Sequence, residues 1–81
     1  MPVVGRRNIK SGWKIYHIKM KRGRHIQDGL WAGTPTQAKK ARSSQTPHYY
    51  AFRKEDVASM RAITPDRARK LLKSGEAGWV D

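Results

Sequence analysis

The positive charge of this chain is concentrated in its first two thirds. Residues 1–54 contain thirteen lysines and arginines but only one acidic residue, Asp28, whereas residues 55–81 contain five basic and five acidic residues. The whole formal net charge of +12 at pH 7 therefore belongs to residues 1–54. Repulsion among so many cations destabilises a small compact domain unless a polyanion offsets it. We therefore expect a polyanionic partner: nucleic acid first, and a membrane surface or an acidic protein groove second.

The length of 81 residues limits the chain to one small domain with a thin core. Hydrophobic residues make up 37% of the sequence, which leaves no room for a deep cofactor pocket. Because no cysteine is present, disulfides, thiolate metal sites and a thiol nucleophile are excluded. The sequence has no apolar run of about 20 residues and no signal-peptide core, so we expect a cytoplasmic protein that does not enter a membrane.

Two segments at the start of the chain are predicted to differ in order. Residues 1–11 are largely polar and basic, which predicts a flexible basic arm in front of a single domain over residues 12–81. Residues 13–21 are rich in β-branched and aromatic side chains, which predicts a strand. Its core face is indicated by the alternating side chains Tyr16, Ile18 and Met20.

Turn residues divide the segment that follows this strand. Arg22-Gly23-Arg24 predicts a turn, after which residues 25–27 form a short second strand. Asp28-Gly29 is a hairpin signal and predicts a second turn into a third strand at residues 30–32. Three strands joined by tight turns make a meander.

Two helix starts are predicted by Thr-Pro pairs, at Thr34 and at Thr64, and Gln37 completes a capping box at the first. Between the helices, residues 49–53 predict a fourth strand, while residues 55–63 fit either a helix or a strand. The sequence thus predicts an α+β fold, with a three- to four-stranded antiparallel sheet and two short helices packed on one face. We expect no internal repeat.

Patterns of catalytic or metal-binding residues are not found. His17, His25 and His48 lack metal-ligand spacing, and no pair of carboxylates is closely spaced. The serines lack a nucleophile-elbow context, and the glycines belong to no phosphate-cradling loop. We therefore expect a protein that is not an enzyme and that holds no metal and no cofactor.

Basic residues cluster around the predicted hairpin. A two-stranded ribbon fits the DNA major groove, where Arg or Lys bonds guanine and Gln pairs with adenine. The arm would contact phosphates or the adjacent minor groove, and helix cations would extend the footprint. The alternative is a solvated hairpin tip. The predicted nucleic-acid-binding residues are Arg6, Arg7, Lys10, Lys14, Lys19, Lys21, Arg22, Arg24, Gln27, Lys39, Lys40 and Arg42.

Aromatic side chains offer a second mode of binding. Single-strand binders stack unpaired bases on aromatic rings. In a chain this short, most aromatic residues are needed for the core, so the core interpretation is favoured. The residues concerned are Trp13, Tyr16, Trp31, Tyr49, Tyr50 and Phe52.

Residues 12–42 combine a glycine before an aromatic strand, a basic turn, a Gly-Thr corner and an Ala-rich helix. The residues that carry this pattern are Gly12-Trp13, Arg22-Gly23-Arg24, Leu30, Gly33, Thr36, Ala38 and Ala41. The pattern resembles the three-stranded sheet plus helix of phage integrase arm-binding domains and plant ethylene-response-factor domains. The resemblance implies that the sheet face away from the helix enters the major groove. That role would fall on Lys14, Lys19, Arg22, Arg24 and Gln27.

Such domains lack the second half of this chain. There, residues 49–57 resemble the last wing strand and following helix of small phage excisionases. The sequence therefore predicts a DNA-binding accessory protein of phage or mobile-element type, with duplex DNA as its ligand. Two alternatives stay open: a small phage inhibitor of a host machine such as RNA polymerase or a CRISPR complex, and an RNA-binding protein. The sequence does not indicate the oligomeric state.

Overall fold

The structure, a computed structural model, describes residues 3–21, 27–43 and 56–80, without the side chains of residues 41–43. A two-stranded sheet contains β1 (Val3–Val4) and β2 (Arg7–Asn8), and a four-stranded sheet contains β3 (Lys14–Met20), β4 (Asp28–Gly33), β5 (Val57–Ile63) and β6 (Ala77–Trp79). Helix α1 (Pro35–Ser43) follows β4, and α2 (Pro65–Ser74) follows β5. The predicted α+β class is confirmed. Within the described ranges, neither helix is long and apolar enough to cross a membrane.

Strand β3 is the centre of the four-stranded sheet, whose order is β5-β3-β4-β6. It pairs antiparallel with both neighbours, so that Tyr16 lies opposite Trp31 on β4 and Ala62 on β5. Strand β6 pairs with β4 in parallel. The segment that fitted either helix or strand is thus strand β5. The predicted fourth strand at residues 49–53 lies outside the described residues.

The predicted turn at Asp28-Gly29 is wrong, because both residues lie in β4 and Gly29 pairs with Ile18. The physical reason is the Asp28 side chain. Its Oδ1 accepts a hydrogen bond from the Met20 amide at 3.0 Å, next to an irregularity in the β3–β5 ladder between Lys19 and Met20. Asp28 therefore ties two strands together, and no turn at Asp28-Gly29 joins the predicted second and third strands. The predicted turn at residues 22–24 and residues 25–26 of the predicted second strand lie outside the described residues.

Both faces of the sheet are buried, because β3 carries apolar side chains on both sides. On one face, Tyr16, Ile18 and Trp31 pack with Ala38 of α1. On the other, the apolar side chains of β3 and β4 pack with α2. This second cluster contains Ile15, Leu30, Ala68 and Leu71. The helices thus lie on opposite faces, and the prediction that both pack on one face is wrong, since Ile15 at 2% exposure needs its own cover.

The β4–α1 and β5–α2 segments are two copies of one unit, 30 residues apart. In each copy a threonine accepts a hydrogen bond at the helix start, from the Gln37 amide at 3.2 Å or the Arg67 amide at 3.2 Å. The shared pairs are Ala32/Ala62, Thr34/Thr64, Pro35/Pro65, Ala38/Ala68 and Lys40/Lys70. The expectation of no internal repeat is therefore wrong.

A one-residue offset in register separates the two copies. Ala32 pairs with Ile15 of β3, whereas its equivalent Ala62 pairs with Tyr16. Neighbouring strand residues point to opposite faces, so equivalent residues of the two copies do the same. An approximate twofold axis therefore runs along β3 and relates the two copies, so that their helices lie on opposite faces of the sheet.

The amino-terminal hairpin packs on α2 rather than projecting from the domain. Val4 is fully buried and Ile9 is 5% exposed in the cluster that contains α2. The Arg69 guanidinium of α2 donates to the Val3 carbonyl at 3.3 Å. The described part of the segment predicted as a flexible arm therefore contains a docked β-hairpin, because two of its apolar residues, Val4 and Ile9, share the core of a helix distant in sequence.

Replacing Gly5 by alanine tests this docking. Gly5 has a φ of +55°, and an added Cβ would overlap Leu72 Cδ1 and lie 2.8 Å from Trp79 Nε1. Gly12, at φ +83°, has nothing within 4 Å and serves as the matched control for backbone strain. We expect Gly12→Ala to lower the free energy of unfolding by about 1–2 kcal/mol, and Gly5→Ala by about 1–3 kcal/mol more. Urea denaturation measures both, and equal losses would contradict the docked hairpin.

Candidate nucleic-acid interface

An open cleft of about 420 Å³ lies at the end of the sheet where β3 begins. Its lining is mostly apolar and includes Trp13, Lys14, Ile63 and Pro65. The antiparallel pairing of β3 with β5 creates this site, because it brings the start of β3 beside the β5–α2 junction. We call it the Trp13 cleft.

A tight turn before β3 adds a second cation to the Trp13 cleft. The Trp13 amide donates to the Lys10 carbonyl at 3.0 Å, and Gly12 supplies the positive φ that the turn requires. The Lys10 ammonium consequently lies 5.4 Å from the centre of the Trp13 ring, within cation–π range. A partly exposed indole and two exposed lysines, Lys10 and Lys14, thus meet at one place.

A second cationic group lies towards the other end of β3. Lys19 and Lys21 are exposed there, and exposed Arg61 of β5 lies opposite His17. Lys19 and Arg61 are diagonal neighbours on one face, with Cα atoms about 7–8 Å apart. Within the described residues, none of these three cations forms an ion pair. We call Lys19, Lys21 and Arg61 the basic patch.

The one acid of residues 1–54 is occupied by internal hydrogen bonds. Asp28 Oδ2 lies 2.9 Å from His17 Nε2, while Oδ1 accepts from the Met20 amide. Both side chains are about three quarters or more buried, with exposed fractions of 20% for His17 and 26% for Asp28. Among the described residues, no three metal-ligating side chains come together. His17 is thus a hydrogen-bonded part of the sheet.

The structure distributes the remaining predicted contact residues over separate places. Arg6 lies exposed in the turn of the amino-terminal hairpin, and Arg7 lies 5.0 Å from the centre of the Trp79 ring. Gln27, predicted to pair with adenine, donates to the Gly75 carbonyl at 3.2 Å, so its amide ties β4 to the end of α2. Exposed on α1 are Lys39 and Lys40. Outside the description lie Arg22, Arg24 and the Arg42 side chain.

The predicted contact residues that the structure describes are not gathered on one ribbon surface. Lys14 and Lys19 are five residues apart on β3, about 17 Å, and point to opposite faces. The sheet face away from α1, which the family resemblance leaves free, carries α2 and the amino-terminal hairpin. The cations of β3 are therefore accessible at its two ends.

Sequence reasoning missed Arg61. It lies in the charge-balanced last third, in a segment that fitted both helix and strand. Only the strand interpretation, with β5 paired to β3, brings it beside Lys19. The alternation along residues 57–63 indicates a strand, but the sequence does not show which strand pairs with it.

The aromatic residues divide as the core interpretation expects, with one exception. Tyr16 and Trp31 are buried and lie against each other, with ring centres 5.8 Å apart. Trp13 is partly exposed and lines the cleft. Tyr49, Tyr50 and Phe52 lie outside the described residues.

No protein-family model, curated protein or solved structure matches this chain, so its function is inferred from its own charges and contacts.

Removal of the Asp28 carboxylate tests its structural role. Asp28→Ala leaves the Met20 amide and His17 without their acceptor, and we expect a loss of about 1–3 kcal/mol in the free energy of unfolding. Asp28→Asn keeps one oxygen acceptor, so we expect a smaller loss. The control is Asp66→Ala, which breaks an exposed ion pair to Arg69 at 3.0 Å and costs about 0.5 kcal/mol. Urea denaturation measures both losses. If Asp28→Ala lowers the free energy of unfolding no more than Asp66→Ala does, the structural role of Asp28 is contradicted.

Proposed function

We propose that the chain binds nucleic acid, with duplex DNA as its ligand, through cations at the two ends of β3. The observation that carries the proposal is the charge of +12, which belongs entirely to residues 1–54. In the described part of the chain, Lys14, Lys19 and Lys21 are exposed and have no ion-pair partner. A polyphosphate would offset the repulsion that these cations exert on one another.

The spacing of the two cationic groups suits a phosphate backbone. The distance of about 17 Å between Lys14 and Lys19 allows the two groups to contact different phosphates along one DNA strand. Lysine side chains are long and flexible, so groups on opposite faces of the sheet can reach the same backbone. Contacts of this kind hold DNA without reading its bases. Base contacts are proposed only for Arg22 and Arg24, in the turn predicted from the sequence.

The salt dependence of binding is the test of this proposal. With about five phosphates neutralised, the logarithm of the association constant should fall against the logarithm of salt concentration with a slope near −4 to −5. Fluorescence anisotropy of a short labelled duplex measures the slope. A slope near −1, or no binding at low salt, would contradict the proposal.

Paired variants separate local contacts from net charge in the same assay. Lys14→Gln with Lys19→Gln should make the slope shallower by about 2, because two phosphate contacts are lost. Lys70→Gln with Lys73→Gln removes the same charge from α2, in the charge-balanced last third, and should leave the slope nearly unchanged. Equal effects of the two pairs would show that the ends of β3 are not the interface.

A further inference from the structure

The Trp13 cleft has a chemistry that phosphate contacts to a duplex leave unused. Its volume of about 420 Å³ lies in the range of small-ligand sites, and its lining joins an indole ring to the apolar side chains of Ile63 and Pro65. Lys14 lines the same cleft, and Lys10 borders the ring. A ligand that uses all of these features has a flat apolar face and a negative charge close beside it.

The second copy of the repeat shows that the fold itself does not require this opening. In the β4–α1 copy, Gly33 stands at the position of Ile63, and the Trp31 ring covers it so closely that an added Cβ would overlap the ring. Arg61, the equivalent of Trp31, is exposed. The same unit therefore closes this position with a buried tryptophan in one copy and leaves a cleft in the other.

We propose that the Trp13 cleft accepts an unpaired nucleobase, stacked against Trp13, while Lys10 and Lys14 contact the adjoining phosphates. The inference rests on the proposed function and names a further part of its ligand. Bases inside a duplex are already stacked, so the cleft selects a single-stranded extension next to the duplex. Stacking on an aromatic side chain tolerates any base, because every base has a π face. The charge complementarity of the two lysines favours this ligand over a neutral apolar one.

The test compares three labelled probes that share one duplex: blunt, with an oligothymidine extension, and with an abasic extension of equal length. The abasic extension keeps the phosphates and removes the bases. We expect the oligothymidine probe to bind about tenfold more tightly than the abasic probe at equal salt. This comparison needs no variant and isolates stacking from charge. Equal binding of the two extended probes would overturn the inference. Equal binding is the result expected if the cleft binds an acidic apolar peptide rather than a base.

Variants assign the preference to the cleft. Trp13→Ala should abolish the difference between the extended probes, and Trp13→Phe should keep most of it because a ring remains. Urea denaturation verifies the fold of each variant, and the phenylalanine variant decides if the alanine variant does not fold. Lys70→Gln controls for a lost charge and should leave the preference intact. A preference that survives in a folded Trp13→Ala chain would overturn the inference.

The blunt probe keeps this outcome separate from failure of the proposed function. If the blunt duplex binds with the expected salt slope and the extended probes do not differ, the proposed function stands and the cleft inference fails. If no probe binds at low salt, both fail together.

Discussion

The structure depends on a central strand that buries both of its faces. Ile15 and Ile18 of β3 are almost fully buried, yet they point to opposite sides of the sheet. A strand of this kind needs a paired neighbour on each edge and a cover on each face. Two copies of a strand–helix unit meet both requirements, because a one-residue offset in register directs one helix to each side. In a chain of 81 residues, repeating one strand–helix unit builds two thin cores from few apolar side chains.

The same arrangement decides where charge can be displayed. Helices lie on both faces of the sheet, and in the described part of the chain the exposed lysines of β3 lie towards its two ends. One end has an aromatic cleft and the other a patch of three cations. This division would separate the two kinds of contact proposed above, namely stacking in the Trp13 cleft and phosphate binding by the lysines of the sheet. Divergence of the repeat distinguishes the two edges of β3 at its start, since the Trp31 ring covers Gly33 in one copy and a cleft opens beside Ile63 in the other.

Local sequence signals predict the structural features that depend on residues close in sequence. They fail for features that depend on contacts between residues distant in sequence. The Thr-Pro helix starts and strand β3 follow from capping and alternation, and the structure confirms them. Asp28-Gly29 has the composition of a turn, but the Asp28 carboxylate bonds to the Met20 amide and β4 runs through it. Val4 and Ile9 look like part of an arm until α2 provides a core for them. The repeat is not evident from the hydrophobic pattern, because the residues that the two copies share are mainly small or turn-forming.

Charge links the stability of the free chain to its proposed activity. Asp28, the one acid of residues 1–54, forms hydrogen bonds within the sheet, and Asp66 of α2 forms an ion pair with Arg69 of the same helix. Neither carboxylate pairs with the lysines at the ends of β3. Added salt would therefore act oppositely on the free chain and on the proposed complex, since it screens repulsion within the chain and would weaken binding to a polyphosphate. A ligand that binds only the folded chain adds to its stability in proportion to occupancy. Repulsion within a chain of net charge +12 is unfavourable, and the proposed polyanionic ligand would offset it.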